Sequence, residues 1–438
     1  MLQKVNIFWF RRDLSLEDNA GLYYALKSNH PVLPLFIFDI AILDQLEDKD
    51  DARVTFIYQT ITGLSTQLRK HHSDILVKHG NINHAWDEVL KEYDVAGVYI
   101  NHDYEPYAIK RDEAIAEKLK LKNIAFNTYK NQVIFERDEM IKDDGKPYTV
   151  FTPYKRRWYE RLKPFYLKSY PTEKYLHSLF KTAPLQMPTL KQMGFTESDA
   201  KFPDKEYQSI IKHYAETRDF PANDNGTSHI GLHLRFGTVS IRQLVNDAYE
   251  AEDKTWLNEL IWREFYMMIL YHFPKTADHA FKPEYDNIIW RNNEHEFEAW
   301  CEGKTGYPLV DAGMRELNAT GYMHNRARMV TASFLSKHLL IDWRWGERYF
   351  ARKLLDYDMA SNVGGWQWAA GSGTDAAPYF RVFNPEIQLK KFDPELEYIK
   401  KWVPEYADFS NYPKPIVEQA FARDRCLKVF KKALAERV

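Results

Sequence analysis

The sequence of 438 residues has few cysteines, no long apolar run and almost no net charge. Its two cysteines, Cys301 and Cys426, are too few for a disulfide framework and favour a reducing compartment. No stretch approaches the ~20 apolar residues of a membrane-spanning helix, and the opening MLQKVNIFWF lacks the plan of a signal peptide. With 60 basic and 62 acidic residues, the net charge gives no overall signature of polyanion binding, so any nucleic-acid contact needs a local patch. We expect a cytoplasmic protein.

Aromatic residues, in contrast, are abundant: 12 Trp, 28 Tyr and 26 Phe make up 15% of the chain. The segment 362–381, NVGGWQWAAGSGTDAAPYFR, separates Trp366 from Trp368 by one residue and follows the carboxylates Asp356 and Asp358. Glycine and alanine let a flat ligand approach the backbone, and indole offers a stacking face and a removable electron. This combination indicates flavin redox chemistry beside a stacked aromatic substrate.

The first 130 residues alternate buried apolar runs with amphipathic stretches. Strands are predicted at Val5–Phe10, Val32–Phe38, Asp74–Lys78, Val95–Ile100 and Ile124–Tyr129, and helices at Ala20–Lys27, Arg53–His71, Asn83–Glu92 and Pro106–Leu121. This order predicts an α/β domain with a doubly wound parallel sheet, which binds ligands at the carboxyl ends of its strands.

The periodicity weakens over residues 131–202, a proline-rich stretch that we interpret as a connector between domains. From residue 203 to residue 438 the helical period dominates. The sequence therefore predicts an all-α C-terminal domain.

Two predicted helices carry polar faces. Glu259, Trp262, Arg263 and Tyr266 follow helical spacing and share a face, which presents either a ligand-binding surface or an internal Glu–Arg pair beside a core tryptophan. Asn325, Arg328 and Met329 share a face of a second helix, whereas Arg326 points elsewhere. Arg328 suits an ion pair with Asp356 or Asp358.

The segment Thr227–Gly237, TSHIGLHLRFG, places hydroxyl residues before a helical pattern. Hydroxyls at a helix start can hold phosphate. Taken alone, the segment fits an ordinary N-cap better.

Long strings throughout the chain resemble the photolyase/cryptochrome family, and most closely the class I cyclobutane pyrimidine dimer photolyases. They include FWFRRDLSLEDNAGL, ELIWREFYMMIL, GYMHNRARMVTASFLSKHLL and LLDYDMASNVGGWQWAAGSGTDAAPYFRVFNP. The resemblance implies that the helical half is an FAD-binding domain and that no metal takes part.

The resemblance also implies roles around the FAD. It assigns the phosphates and sugars to Tyr214, Thr227, Ser228, His229, Ile230 and Gly231, and the ring to Arg263, Arg328, Asp356, Asp358 and Asn362. The Asn362 position faces flavin N5 in this family. Electron transfer from the surface is assigned to Trp290, Trp343 and Trp366.

The implied activity is light-dependent repair, in which photoexcited FADH⁻ gives one electron to a pyrimidine dimer flipped out of UV-damaged DNA. Trp262 and Trp368 match the aromatic walls of the dimer pocket, Glu259 matches a carboxyl that hydrogen-bonds a dimer carbonyl, and Asn325 and Met329 complete the pocket. Contacts with the DNA backbone are assigned to Arg218, Arg326, Arg381 and Gln388. We expect a monomer that does not bind membranes.

Two features separate the subfamilies. Photolyases for (6-4) lesions carry two histidines where this chain has His324 followed by Asn325, which favours cyclobutane dimers. Signalling cryptochromes usually add a long C-terminal tail, and this sequence ends soon after its last helical pattern. We therefore expect a repair enzyme, with a cryptochrome-type blue-light photoreceptor without repair activity as the alternative.

The antenna chromophore is predicted from a stretch of the N-terminal domain that differs from the folate-binding motif. Relatives that bind a folate carry Asn-Glu after a Tyr-Glu-x motif, whereas this chain has YEPYA at 104–108. Asp103 and Glu105, with Arg53 as a further contact, are more typical of a deazaflavin- or flavin-type antenna.

Overall fold

The computed structural model describes residues 3–407 and 411–435, so residues 408–410 and 436–438 of the predicted helical domain lie outside the described residues. The chain divides into two compact units. The first comprises Met1–Glu136, Leu162–Lys205 and Ile230–Asp247, and the second comprises Arg137–Arg161, Glu206–His229 and Ala248–Val438. This division differs from the predicted domains 1–130 and 203–438, because the predicted connector 131–202 contributes to both units.

The first unit contains a parallel five-stranded sheet in the order β3-β2-β1-β4-β5. Its strands are β1 (Lys4–Phe10), β2 (Val32–Asp39), β3 (Leu76–Gly80), β4 (Asp94–Asn101) and β5 (Ala125–Tyr129), connected through the helices α1 (Ala20–Leu26), α2 (Ile40–Leu43), α3 (Ala52–Arg69), α4 (Ile82–Glu92) and α5 (Pro106–Lys120). The strand order reverses beside β1, as in doubly wound folds. The predicted N-terminal fold class is confirmed.

Buried apolar side chains explain why β1 is central. Ile7 is fully buried and pairs with Leu33 on one side and Val98 on the other. Strand β3 starts two residues later than predicted, because the buried carboxylate of Asp74 accepts hydrogen bonds from Ser65 and from the Ile75 N–H.

Ion pairs hold a distant segment in the first unit. The helices α9 (Gly231–Phe236) and α10 (Ile241–Glu250) belong to it up to residue 247. Arg235 lies 2.5 Å from Glu105, and Arg242 lies 2.8 Å from the buried Asp18. Gly237 has a φ of +62°, and a Cβ there would lie 2.5 Å from the carbonyl oxygen of Arg12. Only glycine fits this close approach.

The second unit is helical. Its α-helices are α6 (Phe151–Arg161), α7 (Gln208–Ile211), α8 (Tyr214–Thr217), α11 (Thr255–His272), α12 (Glu294–Cys301), α13 (Pro308–Thr320), α14 (Asn325–Ser333), α15 (Trp343–Lys353), α16 (Met359–Ala370), α17 (Pro385–Phe392), α18 (Glu397–Trp402) and α19 (Gln419–Ala435), with a π-helix at Phe334–His338. The C-terminal fold class is thereby confirmed. Across residues 3–407 and 411–435, every helix is too short or too polar to span a membrane.

Two buried histidines make the stability of the second unit depend on pH. Burial lowers the pKa of His324 and that of His338 to about 4, from 6.5 in the unfolded chain. Between pH 6.5 and pH 4 the unfolded state therefore binds protons that the folded state does not, so stability falls as the pH falls. We expect each histidine to cost about 2 kcal/mol at pH 5 relative to pH 7.

Urea unfolding at pH 7 and pH 5 measures this loss. His338→Gln should show about 2 kcal/mol less pH dependence than the wild type. Other titrating groups are common to both proteins, so the difference between their pH dependences reports His338 alone. The subtraction is needed because a buried carboxyl with a raised pKa, such as Glu316, changes stability in the opposite direction. Equal pH dependence in the two proteins would contradict the assignment.

Candidate active site

A cavity of about 400 Å³ lies within the second unit, a size typical of ligand sites. Its walls combine aromatic rings with guanidinium, carboxylate and amide groups. The lining residues are Arg218, Glu259, Trp262, Arg263, Tyr266, Asn325, Arg328, Met329, Ala332, Phe350, Leu354, Asp356, Tyr357, Asp358, Ser361, Asn362, Gly365, Trp366 and Trp368. The cavity therefore collects all five residues predicted to bind the dimer and all five predicted to surround the flavin ring.

One face of α11 forms a wall of the cavity. Glu259, Trp262, Arg263 and Tyr266 all line it, which confirms that they share a face. The indole of Trp262 stacks on Phe151 of α6, with ring centroids 3.6 Å apart and planes 8° from parallel. Because one side of the indole is covered, its orientation is fixed before any ligand binds.

The carboxylate of Glu259 is paired inside the cavity. Arg218, just after α8, donates to Glu259 Oε1 at 2.5 Å. We predicted that Arg218 contacts DNA phosphate, and the structure places it in the cavity wall. It balances the charge of Glu259 there.

Helix α14 orients its side chains as predicted. Asn325, Arg328 and Met329 line the cavity. Arg326 donates instead to Asp219 at 2.7 Å and lies 4.0 Å from the ring centre of Phe392. This predicted phosphate contact thus has partners within the protein.

Arg328 forms the predicted ion pair with Asp356. Its Nη2 lies 2.9 Å from Asp356 Oδ2, and its Nε donates to the Met323 carbonyl at 2.7 Å. Burial lowers the pKa of Arg328, but the neighbouring carboxylate outweighs it and raises the pKa overall. Asp358 caps the N-terminus of α16, where its side chain accepts from the Ser361 N–H.

The amide of Asn362 is oriented by Glu347. Asn362 Nδ2 donates to Glu347 Oε1 at 2.9 Å and to the Glu347 carbonyl at 3.1 Å. Both partners are acceptors, so the NH₂ group must face them and the amide oxygen remains to accept from a ligand. Burial raises the pKa of Glu347. We did not predict this residue, because nothing in an amphipathic helix pattern marks a buried carboxyl.

The wall at α16 fits a flat ring. A Cβ added at Gly365 would meet no described atom within 4 Å, so the backbone there is open to a ligand. The Nε1 atom of Trp366, 2% exposed, has no hydrogen-bond partner among the described residues. With Arg328, Asp358 and Asn362 around it, this surface suits the hydrogen-bonding edge of a flavin.

The other residues predicted to bind FAD do not line the cavity. Thr227 hydrogen-bonds Tyr322, and Ser228 accepts from Trp256. The ring of His229, a residue with a φ of +49°, lies 4.1 Å from that of Tyr322. Tyr214 starts α8, and Ile230 and Gly231 belong to the first unit.

The ordinary N-cap that we favoured for Thr227–Gly237 is wrong. Helix α9 begins at Gly231, and its capping residue Ile230 makes no side-chain hydrogen bond in the described part of the chain. The hydroxyl groups lie three and four residues before the helix, beyond the reach of a cap.

The predicted electron-transfer tryptophans share one hydrophobic cluster. Trp343 and Trp366 are buried in it, and half-buried Trp290 packs against it. The guanidinium of Arg344 lies 4.8 Å from the ring centre of Trp343.

The remaining predicted DNA contacts lie outside the cavity lining. Arg381 is exposed, and its carbonyl accepts from Lys337. Gln388 is half-buried on α17.

The structure gives the three predicted antenna residues partners within the first unit. Asp103 and Glu105 both pair with Arg12, at 3.3 and 2.9 Å. Arg53 pairs with Asp51 at the start of α3. The charged groups that we expected to face a chromophore thus form ion pairs within the protein.

Residues 6–174 match the family described as DNA photolyase, and residues 256–411 match the FAD binding domain of DNA photolyase. The second match confirms the predicted FAD-binding domain. The chain is 38% identical over 440 residues to the deoxyribodipyrimidine photo-lyase of Synechococcus sp., covering 94% of this chain and 90% of that one.

Solved structures of photolyases are also similar to this chain over almost its whole length. A bacterial class III photolyase from Agrobacterium tumefaciens is 30% identical with a TM-score of 0.88, over 99% of this chain and 98% of that one. An archaeal photolyase from Sulfolobus tokodaii, solved with two FAD molecules, is 34% identical with a TM-score of 0.82, over 98% of this chain and all of that one.

Proposed function

The chain belongs to the photolyase/cryptochrome family, and from that premise we propose that it repairs cyclobutane pyrimidine dimers in DNA with blue light, as a cytoplasmic monomer. The observation that carries the proposal is the cavity, which joins a flavin-compatible wall to two indoles and a carboxylate. The name deoxyribodipyrimidine photo-lyase among the relatives supports the same substrate. Class I membership stays a prediction, since one similar structure is a class III enzyme.

The aromatic walls would bind the lesion. Trp262 offers the face that Phe151 leaves uncovered, and Trp368 lines the same cavity. Stacking on an aromatic side chain contributes about 1–3 kcal/mol per base, and flipping out a damaged pair costs only a few kcal/mol. Glu259 and Asn325 supply hydrogen-bonding groups for the polar edge of the dimer.

A second set of residues would hold the FAD. Arg328, Asp356 and Asp358 supply charged and hydrogen-bonding groups, and Asn362 presents its amide oxygen because Glu347 holds its NH₂ group. When bound, FAD supplies the light-excited reduced ring that lends one electron to the dimer. Ala332, Phe350 and Leu354 line the same cavity with apolar side chains, which would limit the access of water to a bound ring.

Trp262→Ala and Trp368→Ala should each weaken dark binding of a dimer-containing oligonucleotide about tenfold, because each removes one stacking surface. Binding of the undamaged oligonucleotide should change little. Fluorescence anisotropy measures both affinities. Trp345→Ala is the matched control, since Trp345 is half-buried on α15 and does not line the cavity.

Dimer splitting under blue light tests the function itself. The wild type, chemically reduced, should restore the ultraviolet absorbance of the pyrimidines only when illuminated. Light-dependent reduction of FAD without any dimer splitting would contradict repair and favour the photoreceptor alternative.

For the antenna we propose a flavin- or deazaflavin-type chromophore rather than a folate. The archaeal relative with two FAD molecules supports a flavin in that role. The chromophores released by denaturation, identified by mass and absorbance, test this: a folate would contradict it.

A further inference from the structure

We propose that Thr128, His102 and Glu136 form a nucleophilic site in the first unit, where the hydroxyl of Thr128 takes an acyl group from a small activated carboxylic ester. All three residues belong to the segment Met1–Glu136 of that unit. Thr128 lies on the edge strand β5, and His102 directly follows β4. The site is separate from the cavity of the second unit, and the proposed repair reaction does not use it.

Two hydrogen bonds connect the three side chains in a row. Thr128 Oγ1 lies 2.8 Å from His102 Nε2, and His102 Nδ1 lies 2.8 Å from Glu136 Oε2. A hydroxyl, an imidazole and a carboxylate in this order are the groups that activate the nucleophile of serine hydrolases. Such a row is recognised by its geometry, whatever the fold that carries it.

The partners of His102 determine which ring nitrogen carries the proton. A carboxylate only accepts, so Nδ1 must donate to Glu136, and Nε2 is left as an acceptor. The Thr128 hydroxyl must then donate to Nε2, so its proton already points at the base. Tyr104 Oη donates to Glu136 Oε2 at 2.5 Å and holds the carboxylate in place.

Exposure along the row suits a nucleophile that works at the surface. Thr128 is exposed, whereas the side chains of His102 and Glu136 are each only 12% exposed. An acyl donor can therefore reach the hydroxyl from solvent while the base stays packed. Because an open surface supplies less binding energy than a cavity, the donor must itself be reactive, as aryl esters and thioesters are.

The backbone of β5 supplies a donor for the negative charge that develops on the acyl oxygen. β5 is the last strand in the sheet order, so its outer side pairs with no strand of the described residues. The Tyr129 carbonyl accepts from the His102 N–H at 2.7 Å, so the backbone polar groups of Tyr129 face β4. Those of the preceding residue, Thr128, face the open side. The N–H of the nucleophile itself is one of the oxyanion donors in serine proteases.

The acyl transfer needs only the ester and these side chains. Thr128 Oγ1 bonds to the acyl carbon, and the bond from that carbon to the leaving oxygen or sulfur breaks, with the electron pair staying on the leaving atom. His102 Nε2 takes the hydroxyl proton and passes it to the leaving group. The product is an ester of Thr128, and nothing is oxidised or reduced.

The full-length, FAD-loaded protein treated with p-nitrophenyl acetate in the dark tests the site. Digestion and mass spectrometry over a time course should find Thr128 acetylated well before other threonines. Thr62 is the matched internal control, because it is an exposed threonine of the same unit whose hydroxyl donates to the Tyr58 carbonyl instead of an imidazole. Equal rates of acetylation at Thr128 and Thr62 would overturn the proposal.

His102→Gln should slow the acetylation of Thr128 about a hundredfold, because glutamine cannot take up the hydroxyl proton. Thr128→Ser should be acetylated at least as fast as the wild type, since serine keeps the hydroxyl and loses the methyl group beside it. The serine variant tests the site even where the glutamine variant folds poorly. An unchanged rate in His102→Gln, or an unreactive serine in Thr128→Ser, would refute the assignment.

Glu136 acts through His102 and is a positioning residue. Glu136→Gln should slow the acetylation at least about tenfold, since an amide does not stabilise the charged imidazole that forms when Thr128 loses its proton. ¹⁵N NMR of the His102 ring in the wild type gives a readout that a purely structural role does not determine. It should show the proton on Nδ1, and a proton on Nε2 would contradict the site.

The repair assay separates this site from the proposed function. Thr128→Val should abolish acetylation at position 128 and should split dimers at the wild-type rate, because the cavity belongs to the second unit. A loss of repair in this variant would overturn the separation of the two sites. Failure of the wild type to repair dimers would contradict the proposed function and leave the acetylation result intact.

Discussion

Gly346→Ala should destabilise the second unit by about 3 kcal/mol, although alanine is a better helix former than glycine. A Cβ at Gly346 on α15 would lie 2.0 Å from Cη2 of Trp366 and 2.6 Å from Cδ2 of Leu335. Both neighbours are buried, so the indole must move out of its place in the cavity wall. Urea unfolding followed by tryptophan fluorescence measures the loss.

Gly365→Ala provides the matched control. It is the same change on a neighbouring helix, and its Cβ would meet no described atom within 4 Å. The free energy of unfolding should stay the same or rise by up to about 1 kcal/mol, as helix propensity predicts. The affinity for FAD should fall, since the added methyl occupies the open face of the cavity. Equal stability of the two variants would show that α15 does not require close contact with Trp366.

Arg328→Met should weaken FAD binding by roughly 30- to 100-fold. The change leaves Asp356 in the cavity without its 2.9 Å partner and removes the bond to the Met323 carbonyl. Hydrogen bonds to charged groups contribute about 1.5–3 kcal/mol, and 1.4 kcal/mol corresponds to a tenfold change in affinity. Titration of apoprotein with FAD, followed by quenching of flavin fluorescence, gives the dissociation constant.

Arg344→Met controls for the loss of a half-buried arginine. Its side chain is 24% exposed, against 26% for Arg328, and it also pairs with carboxylates. It does not line the cavity, so its variant should keep wild-type FAD affinity. The FAD affinity of Arg328→Lys should lie between that of the wild type and that of Arg328→Met, because lysine keeps the charge but reaches one partner at a time. A similar loss of FAD affinity in Arg328→Met and Arg344→Met would indicate general destabilisation.

Local periodicity was enough to predict much of this molecule. The alternation of short buried strands with amphipathic helices gave every strand of the sheet to within two residues. Helical spacing placed Glu259, Trp262 and Arg263 on the face that lines the cavity. These predictions succeed because they depend on neighbours three or four residues away.

Contacts between distant segments were not predictable from spacing. Phe151 stacks on Trp262 from a stretch that we had interpreted as a connector, and Glu347 orients Asn362 from a different helix. The pairing of Arg218 with Glu259 likewise joins residues 41 positions apart. Such partners are chosen by the packing of whole helices, which a single sequence without homologues does not reveal.

The segment Ile230–Asp247 has a consequence for how the chain is made. Arg235 and Arg242 in this segment pair with Glu105 and Asp18, which precede it by more than a hundred residues. During synthesis the sheet emerges from the ribosome long before these arginines do. The nascent N-terminal half must therefore fold without the arginine that pairs with the buried Asp18, whereas Glu105 already has Arg12 as a partner. A gene fragment ending at residue 136 would encode an incomplete module.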